Sequence, residues 1–195
     1  MFTGIVESLG RIESVTHEGS GRIFWVSSDI SADLKPDQSL SHNGACLTVE
    51  QIAGSQHRVT AIEETLLKTD LSHWSVGNLV NLERCMPMNG RIDGHLVQGH
   101  VDTTATCAGI IVKNGSSEYR FRFDQSFSSL VIEKGSVCVN GISLTCYNVL
   151  NSEFTVAIIP YTLEHTNMKF IKQGSTVNIE FDVIGKYIQR YLDRK

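Results

Sequence analysis

The chain has 195 residues and a formal net charge of −4, with Lys and Arg scattered singly rather than in runs. That balance offers no basic surface for nucleic acid, and no apolar run is long enough to cross a bilayer, so neither partner is expected. Five cysteines, odd in number and without CxxC spacing, argue against a disulfide framework or a zinc ribbon, and a reducing cytoplasmic setting without a basic leader is expected.

In chain order, residues 5–15 mix apolar and polar side chains, and residues 22–26 are rich in β-branched and aromatic ones. Both read as strands, with Gly19-Ser20-Gly21 as the turn between them. Residues 47–49, 58–62 and 79–82 continue the series, separated by the turn-like Ala53-Gly54-Ser55 and Val76-Gly77. Residues 86–95, carrying Pro87, Gly90 and Gly94, read as a linker. Strand signals resume at residues 119–123, 143–146, 154–159 and 176–180. One strand every dozen residues or so is the rhythm of a small closed barrel or sandwich. The tail differs in kind: Ile184, Tyr187, Ile188, Tyr191 and Leu192 fall at spacings of three and four, the stripe of an amphipathic helix. A helix this short is marginal alone, so its stripe is expected to pack on its own barrels or on copies of itself.

The two halves say much the same thing. Asn43-Gly44-Ala45-Cys46-Leu47-Thr48 returns 97 residues later as Asn140-Gly141-Ile142-Ser143-Leu144-Thr145, and Val80-Asn81-Leu82-Glu83 returns as Val177-Asn178-Ile179-Glu180. Gly4-Ile5-Val6 matches Gly99-His100-Val101 at an offset of 95. A repeat this long, occurring twice, means two similar domains rather than a solenoid. The copies differ at a few polar positions, which implies related pockets with different tasks.

The opening Met1-Phe2-Thr3-Gly4-Ile5-Val6-Glu7, the central run from Met88 to Asp102, the paired NG-x-x-LT segments and Ile159-Pro160-Tyr161-Thr162-Leu163-Glu164-His165-Thr166 closely resemble the single-polypeptide, two-barrel riboflavin synthase family. The resemblance covers essentially the whole chain. It implies an all-β fold of two homologous six-stranded Greek-key barrels, spanning residues 1–88 and 97–183, and a short C-terminal α-helix at 184–195 that gathers three subunits. It also implies an enzyme without metal or organic cofactor, a transferase that dismutates two molecules of 6,7-dimethyl-8-ribityllumazine to riboflavin and 5-amino-6-(ribitylamino)uracil. A homotrimer and an association with lumazine synthase are the partners expected. The alternative is a non-catalytic lumazine- or flavin-binding antenna or carrier on the same fold.

Carried over by position, the N-terminal pocket is expected to comprise Gly4, Ile5, Val6, Cys46, Leu47, Thr48, Thr60, Ala61, Ile62, Glu64 and Thr65. The C-terminal pocket is expected to comprise Gly99, His100, Val101, Lys134, Ser143, Leu144, Thr145, Ala157, Ile158, Ile159, Pro160, Tyr161 and Thr162. Apolar side chains suit the faces of a flat heteroaromatic, and hydroxyls suit its edge and polyol tail. Glu64 is the expected partner of ribityl hydroxyls, whereas its counterpart Tyr161 could not accept in the same way. His100 is the candidate base for an acidic methyl group, since imidazole titrates near neutrality and the first repeat has only Ile5 there. Cys46, Ser143, Thr48 and Thr145 are candidates for nucleophile or hydrogen-bond donor, with Ser39 and Ser136 behind them, and the attacking group could equally be water. Taken singly, each has a plainer reading. A lone His is more often structural, Thr is a good strand former, and Cys46 a small buried apolar group. His95 and His165 read as structural. Where some family members have aspartate before the glycine of the second NG-type segment, this chain has Asn140, which can position a water but cannot act as a base.

Overall fold

The computed structural model describes residues 1–194. Its first half contains β1 (Ser8–Glu18), β2 (Gly21–Ser27), β3 (Ser39–His42), β4 (Ala45–Ala53), β5 (Gln56–Ala61), the short helix α1 (Glu63–Lys68) and β6 (Leu79–Arg84). The second half repeats the series as β7 (Thr103–Lys113), β8 (Ser116–Arg122), β9 (Ser136–Val139), β10 (Ile142–Tyr147), β11 (Glu153–Ile158), α2 (Pro160–His165) and β12 (Thr176–Phe181). Helix α3 (Val183–Leu192) ends the fold. Each half closes into a six-stranded antiparallel barrel, in the order β1-β2-β5-β4-β3-β6 and its equivalent. The non-sequential neighbours make this a Greek key, and closure leaves no sheet edge to aggregate.

The expected strands form. Sequence reading misses β3, β7 and β9 and the helices α1 and α2. β3 and β9 are four residues each, and α1 and α2 six, too short for either periodicity to register. Ile62 and Ile159, expected at strand ends, instead cap α1 and α2 with extended backbone. Helix α3 starts at Val183 because the Asp182 side chain accepts a hydrogen bond from the Ile184 amide at 3.0 Å. Lys195, the end of the span expected to be helical, lies outside the described residues. Ile184, Tyr187, Ile188, Tyr191 and Leu192 are each more than half exposed, and Lys186 pins the helix to Asp102 at 2.7 Å.

The interiors differ. The second barrel is filled by Tyr119, Phe121, Phe123, Phe154 and Phe181 among aliphatic residues. In the first barrel, His42 and His57 are wholly buried, with Nε2 atoms 2.8 Å apart. The Leu40 carbonyl, 3.1 Å from His42 Nδ1, can only accept, so His42 carries its proton there and its Nε2 is bare. His57 therefore donates from Nε2 and accepts at Nδ1 from the Ser31 hydroxyl at 2.8 Å, which in turn accepts from Ser28 at 2.7 Å. Every member of the file is satisfied. Burial holds both imidazoles neutral, His57 down to about 4 and His42 well below its usual value.

The barrels meet through their NG turns. Asn81 Nδ2 donates to the Asn140 carbonyl at 2.8 Å, and Asn178 Nδ2 to the Asn43 carbonyl at 2.9 Å. Such reciprocity is the mark of a two-fold relation between the halves. Gly44 and Gly141, at φ +82° and +78°, lie on this axis, where a Cβ on either would come within 2.9 Å of the other's backbone nitrogen. One pair breaks the symmetry: Asp70 receives Asn178 Nδ2 at 2.8 Å where its counterpart Asn167 receives Asn81 Nδ2 at 3.0 Å.

Candidate functional site

β4 and its repeat β10 set the geometry. Alternation sends Ala45, Leu47 and Val49 into the first core and turns Cys46 and Thr48 outward. On β10, Ile142 and Cys146 face inward while Ser143 and Thr145 face out. α1 lies beside the outward face of β4 at Cys46, and each of α1 and α2 follows its barrel's fifth strand.

The remaining wall of each site comes from the other repeat. Phe2 pairs with Val97 in an isolated bridge, and from there the two segments cross. The Ser143 amide donates to the Gly4 carbonyl at 2.8 Å, and the Cys46 amide to the Gly99 carbonyl at 2.8 Å. Val6 packs on the second core and Val101 on the first. Two buried carboxylates anchor the crossing. Glu83 accepts from the amides of Thr3 and Gly4 at 2.7 and 3.0 Å, and Glu180 from those of Gln98, Gly99 and His100 at 2.7, 2.9 and 2.9 Å. Burial pushes both carboxyls up, and the amide donors pull them back.

A cavity of about 290 Å³ results beside the first barrel, lined by Cys46, Glu64, Thr65, Lys68, Gly99, His100 and Val101 among others. Gly99, His100 and Val101, expected in the C-terminal pocket, therefore line the N-terminal one, and Gly4, Ile5 and Val6 belong by the same crossing with Ser143. The sequence order of the repeats misleads here because the segments exchange barrels. Leu47 and Ala61 point into the first core and Ile158 into the second, so only their backbone can face a ligand. Leu144 is partly buried against the second core, and Thr60 Oγ1 is buried without a partner among the described residues. Thr48 is exposed opposite Ser39, and Thr145 is exposed opposite Ser136. Ile62, Ala157, Ile159, Pro160 and Tyr161 are exposed, and Thr162 half-buried, around α1 and α2. Lys134 lies elsewhere: its ammonium sits 5.1 Å over the Tyr147 ring, and it lines the groove under α3 with Asp182 and Ile184.

Chemically, the two sites diverge at matched positions. Burial pushes the Cys46 thiol up, with a hydrogen bond from Ser39 opposing, so a thiolate is disfavoured. Ser143, at the same position of the second repeat, is bonded through Oγ to His95 Nδ1 at 2.7 Å. The buried Nε2 of His95 has no partner among the described residues, and burial lowers its pKa. Sequence reading takes His95 as structural, since it lies in a recognisable motif to which no chemistry is assigned. Lys68 escapes it as well, because α1 is not foreseen. Cys107, Cys138 and Cys146 are buried free thiols, and Cys85 is exposed.

Fold and geometry together define a duplicated Greek-key barrel protein in which each barrel is flanked by a segment from the opposite repeat. The family model for the lumazine binding domain matches twice, at residues 3–85 and 98–182. Riboflavin synthase of Bacillus subtilis is 40% identical over 195 residues, covering 100% of this chain and 91% of that one. Riboflavin synthase of Actinobacillus pleuropneumoniae is 38% identical over 196 residues, with the same coverage. The crystal structure of LumP complexed with riboflavin superposes with a TM-score of 0.86 at 22% identity, covering 93% of this chain and 99% of that one, and shares the fold. The chain belongs to the riboflavin synthase family.

Proposed function

We propose that this chain dismutates two molecules of 6,7-dimethyl-8-ribityllumazine, moving a four-carbon unit from one to the other to give riboflavin and 5-amino-6-(ribitylamino)uracil, the last step of riboflavin biosynthesis. One observation carries the reading beyond family membership. A single cavity unites His100 of one repeat with Cys46 and Glu64 of the other, while the matched positions around the second barrel hold Ile5, Ser143 and Tyr161. Two similar but unequal sites suit two copies of one molecule that must play different parts. Holding them together removes much of the entropic barrier of a bimolecular step, of order several kcal/mol.

In this reading His100 removes the proton from the C7 methyl of the lumazine in the first cavity. Cys46, kept protonated, forms wall and donor rather than nucleophile. The hydroxyl of Ser143, or a water beside it, adds to C7 of the second molecule, with His95 in hydrogen-bond reach to take the proton. Glu64 accepts from ribityl hydroxyls, and Thr48, Thr65, Thr145 and Thr162 supply further hydroxyls. The products together hold the atoms of the two substrates, so the transfer balances without a further group donor.

The proposal extends to assembly. Barrel domains at 1–88 and 97–183 would be joined in threes by the exposed stripe of α3, so that the first cavity of one subunit faces the second site of its neighbour. A cytoplasmic location and association with lumazine synthase belong to the same reading. The test is incubation of purified, metal-free protein with the lumazine, following riboflavin by absorbance and chromatography. One riboflavin for two lumazines consumed is expected, and tight binding without product would turn the assignment to a carrier.

A further inference from the structure

Helix α1 gives the first cavity one of its walls: Glu64, Thr65, Lys68 and Thr69 line it at helical spacing. Thr69 is committed to local structure, donating to the Thr65 carbonyl at 2.6 Å and accepting from the Leu71 amide at 3.2 Å. The side chains of Glu64 and Lys68, one turn apart, form no ion pair or hydrogen bond with each other or with any other group among the described residues. The wall therefore offers a carboxylate that only accepts and an ammonium that only donates. A polyol matches that pair, because every hydroxyl both donates and accepts. A phosphate does not, because Glu64 repels it.

At the matched positions of the second repeat the wall is closed on itself. The rings of Tyr161 and His165 stack with centroids 4.1 Å apart at 21°. His165 Nδ1 lies 2.8 Å from the Tyr161 carbonyl, which can only accept, so that ring nitrogen donates into its own helix. Both side chains are exposed, and together they form an aromatic pair.

We propose that Lys68 is a second specificity-determining residue for the ribityl chain in the first cavity, acting with Glu64. This rests on the lumazine reading given above. It predicts that ligands with and without the polyol respond differently to one side chain.

The experiment titrates the full chain with riboflavin and with lumiflavin, which carries a methyl in place of the ribityl chain, following flavin fluorescence. Lys68→Met keeps the aliphatic stem and removes the charge. Riboflavin affinity is expected to fall about tenfold, the scale of a hydrogen bond to a charged group, with lumiflavin affinity unchanged. Lys68→Arg restores most of the loss, and His165→Leu leaves the riboflavin-to-lumiflavin ratio where it was. Equal losses for both flavins, or none for riboflavin, would overturn the role of Lys68 while leaving the cavity assignment standing. Wild-type protein that binds neither flavin would overturn the cavity assignment and this inference together.

Discussion

Where the first barrel runs a file of hydrogen-bonded side chains from Ser28 through Ser31 and His57 to His42, the second has Val139 and Phe154 in place of the two imidazoles. The same contrast holds outside. Cys46, Glu64, Lys68 and His100 line the first cavity, and their counterparts are Ser143, Tyr161, His165 and Ile5. Yet along the shared axis the halves stay nearly identical, Asn for Asn and Gly for Gly, with Asp70 against Asn167 as the exception. The backbone that joins the copies is held in common, while the side chains that can carry charge or move protons differ at the matched positions.

The sharpest way to break this comparison is His100→Gln. It removes the imidazole from the first cavity at the position where the second site has only Ile5. Turnover is expected to fall 100-fold or more, about the lower end of what a positioned acid–base group contributes, with lumazine affinity changed far less. Unchanged turnover in a steady-state assay would remove His100 from the mechanism.

Next comes Gly44→Ala, aimed at what the halves share. The left-handed backbone alone costs about 1–3 kcal/mol, and the methyl would also press on Gly141 across the axis. A urea midpoint within error of wild type would mean that the turns do not bear on one another as described.

The smallest effects concern pH, where the two exceptions act in opposite senses. Burial pushes the Asp70 carboxyl up to about 6, against opposing hydrogen bonds that include one from Asn178. A carboxyl raised on folding contributes stability that is present below its unfolded pKa near 4 and lost as pH rises through 6. Asp70→Asn, which copies Asn167, should therefore stabilise the protein at pH 7 by at most about 3 kcal/mol and show no gain below pH 4. His57 is depressed instead, to about 4, so its contribution is present above pH 6.5 and lost as pH falls toward 4. Among the described residues, no acidic or basic side chain relieves the pair. The facing residues are Val26, Ile52, Leu82 and Ser31, and the adjacent Glu50 and Arg58 pair with each other at 3.4 Å. Replacing both imidazoles by their counterparts, His42→Val with His57→Phe, should flatten the acid limb of the stability profile in denaturation series from pH 7 to 5. A limb as steep as that of wild type would place the acid sensitivity elsewhere.

Much of this architecture is legible in the amino-acid sequence. The repeat announces itself in identical residues at a fixed offset, and the stripe from Ile184 to Leu192 is readable because ten residues suffice for a 3.6-residue period. β3 is not readable, since Ser39-Leu40-Ser41-His42 holds one aliphatic residue and gains its place by pairing with β4 and β6. The crossing of Gly4 and Gly99 is illegible for a different reason. Likeness between segments says nothing of which copy each one covers, and that choice rests on Glu83 and Glu180, far along the chain from the amides they hold. A hint is nonetheless present. Glutamate recurs in both Asn-x-Glu triplets of β6 and β12, at strand positions where a charge would otherwise be costly.

The crossed segments bear on how the molecule would survive a cut. Residues 2–6 are fastened to the second barrel and residues 97–101 to the first, so the halves are clasped by crossed segments in addition to being strung on one thread. A protease that nicked the exposed stretch around Met88 and Arg91 would divide the chain into two pieces, each still gripping the other's barrel. The fragments should migrate as one body until denatured, and the same stretch is the natural place to open the chain for a circular permutant.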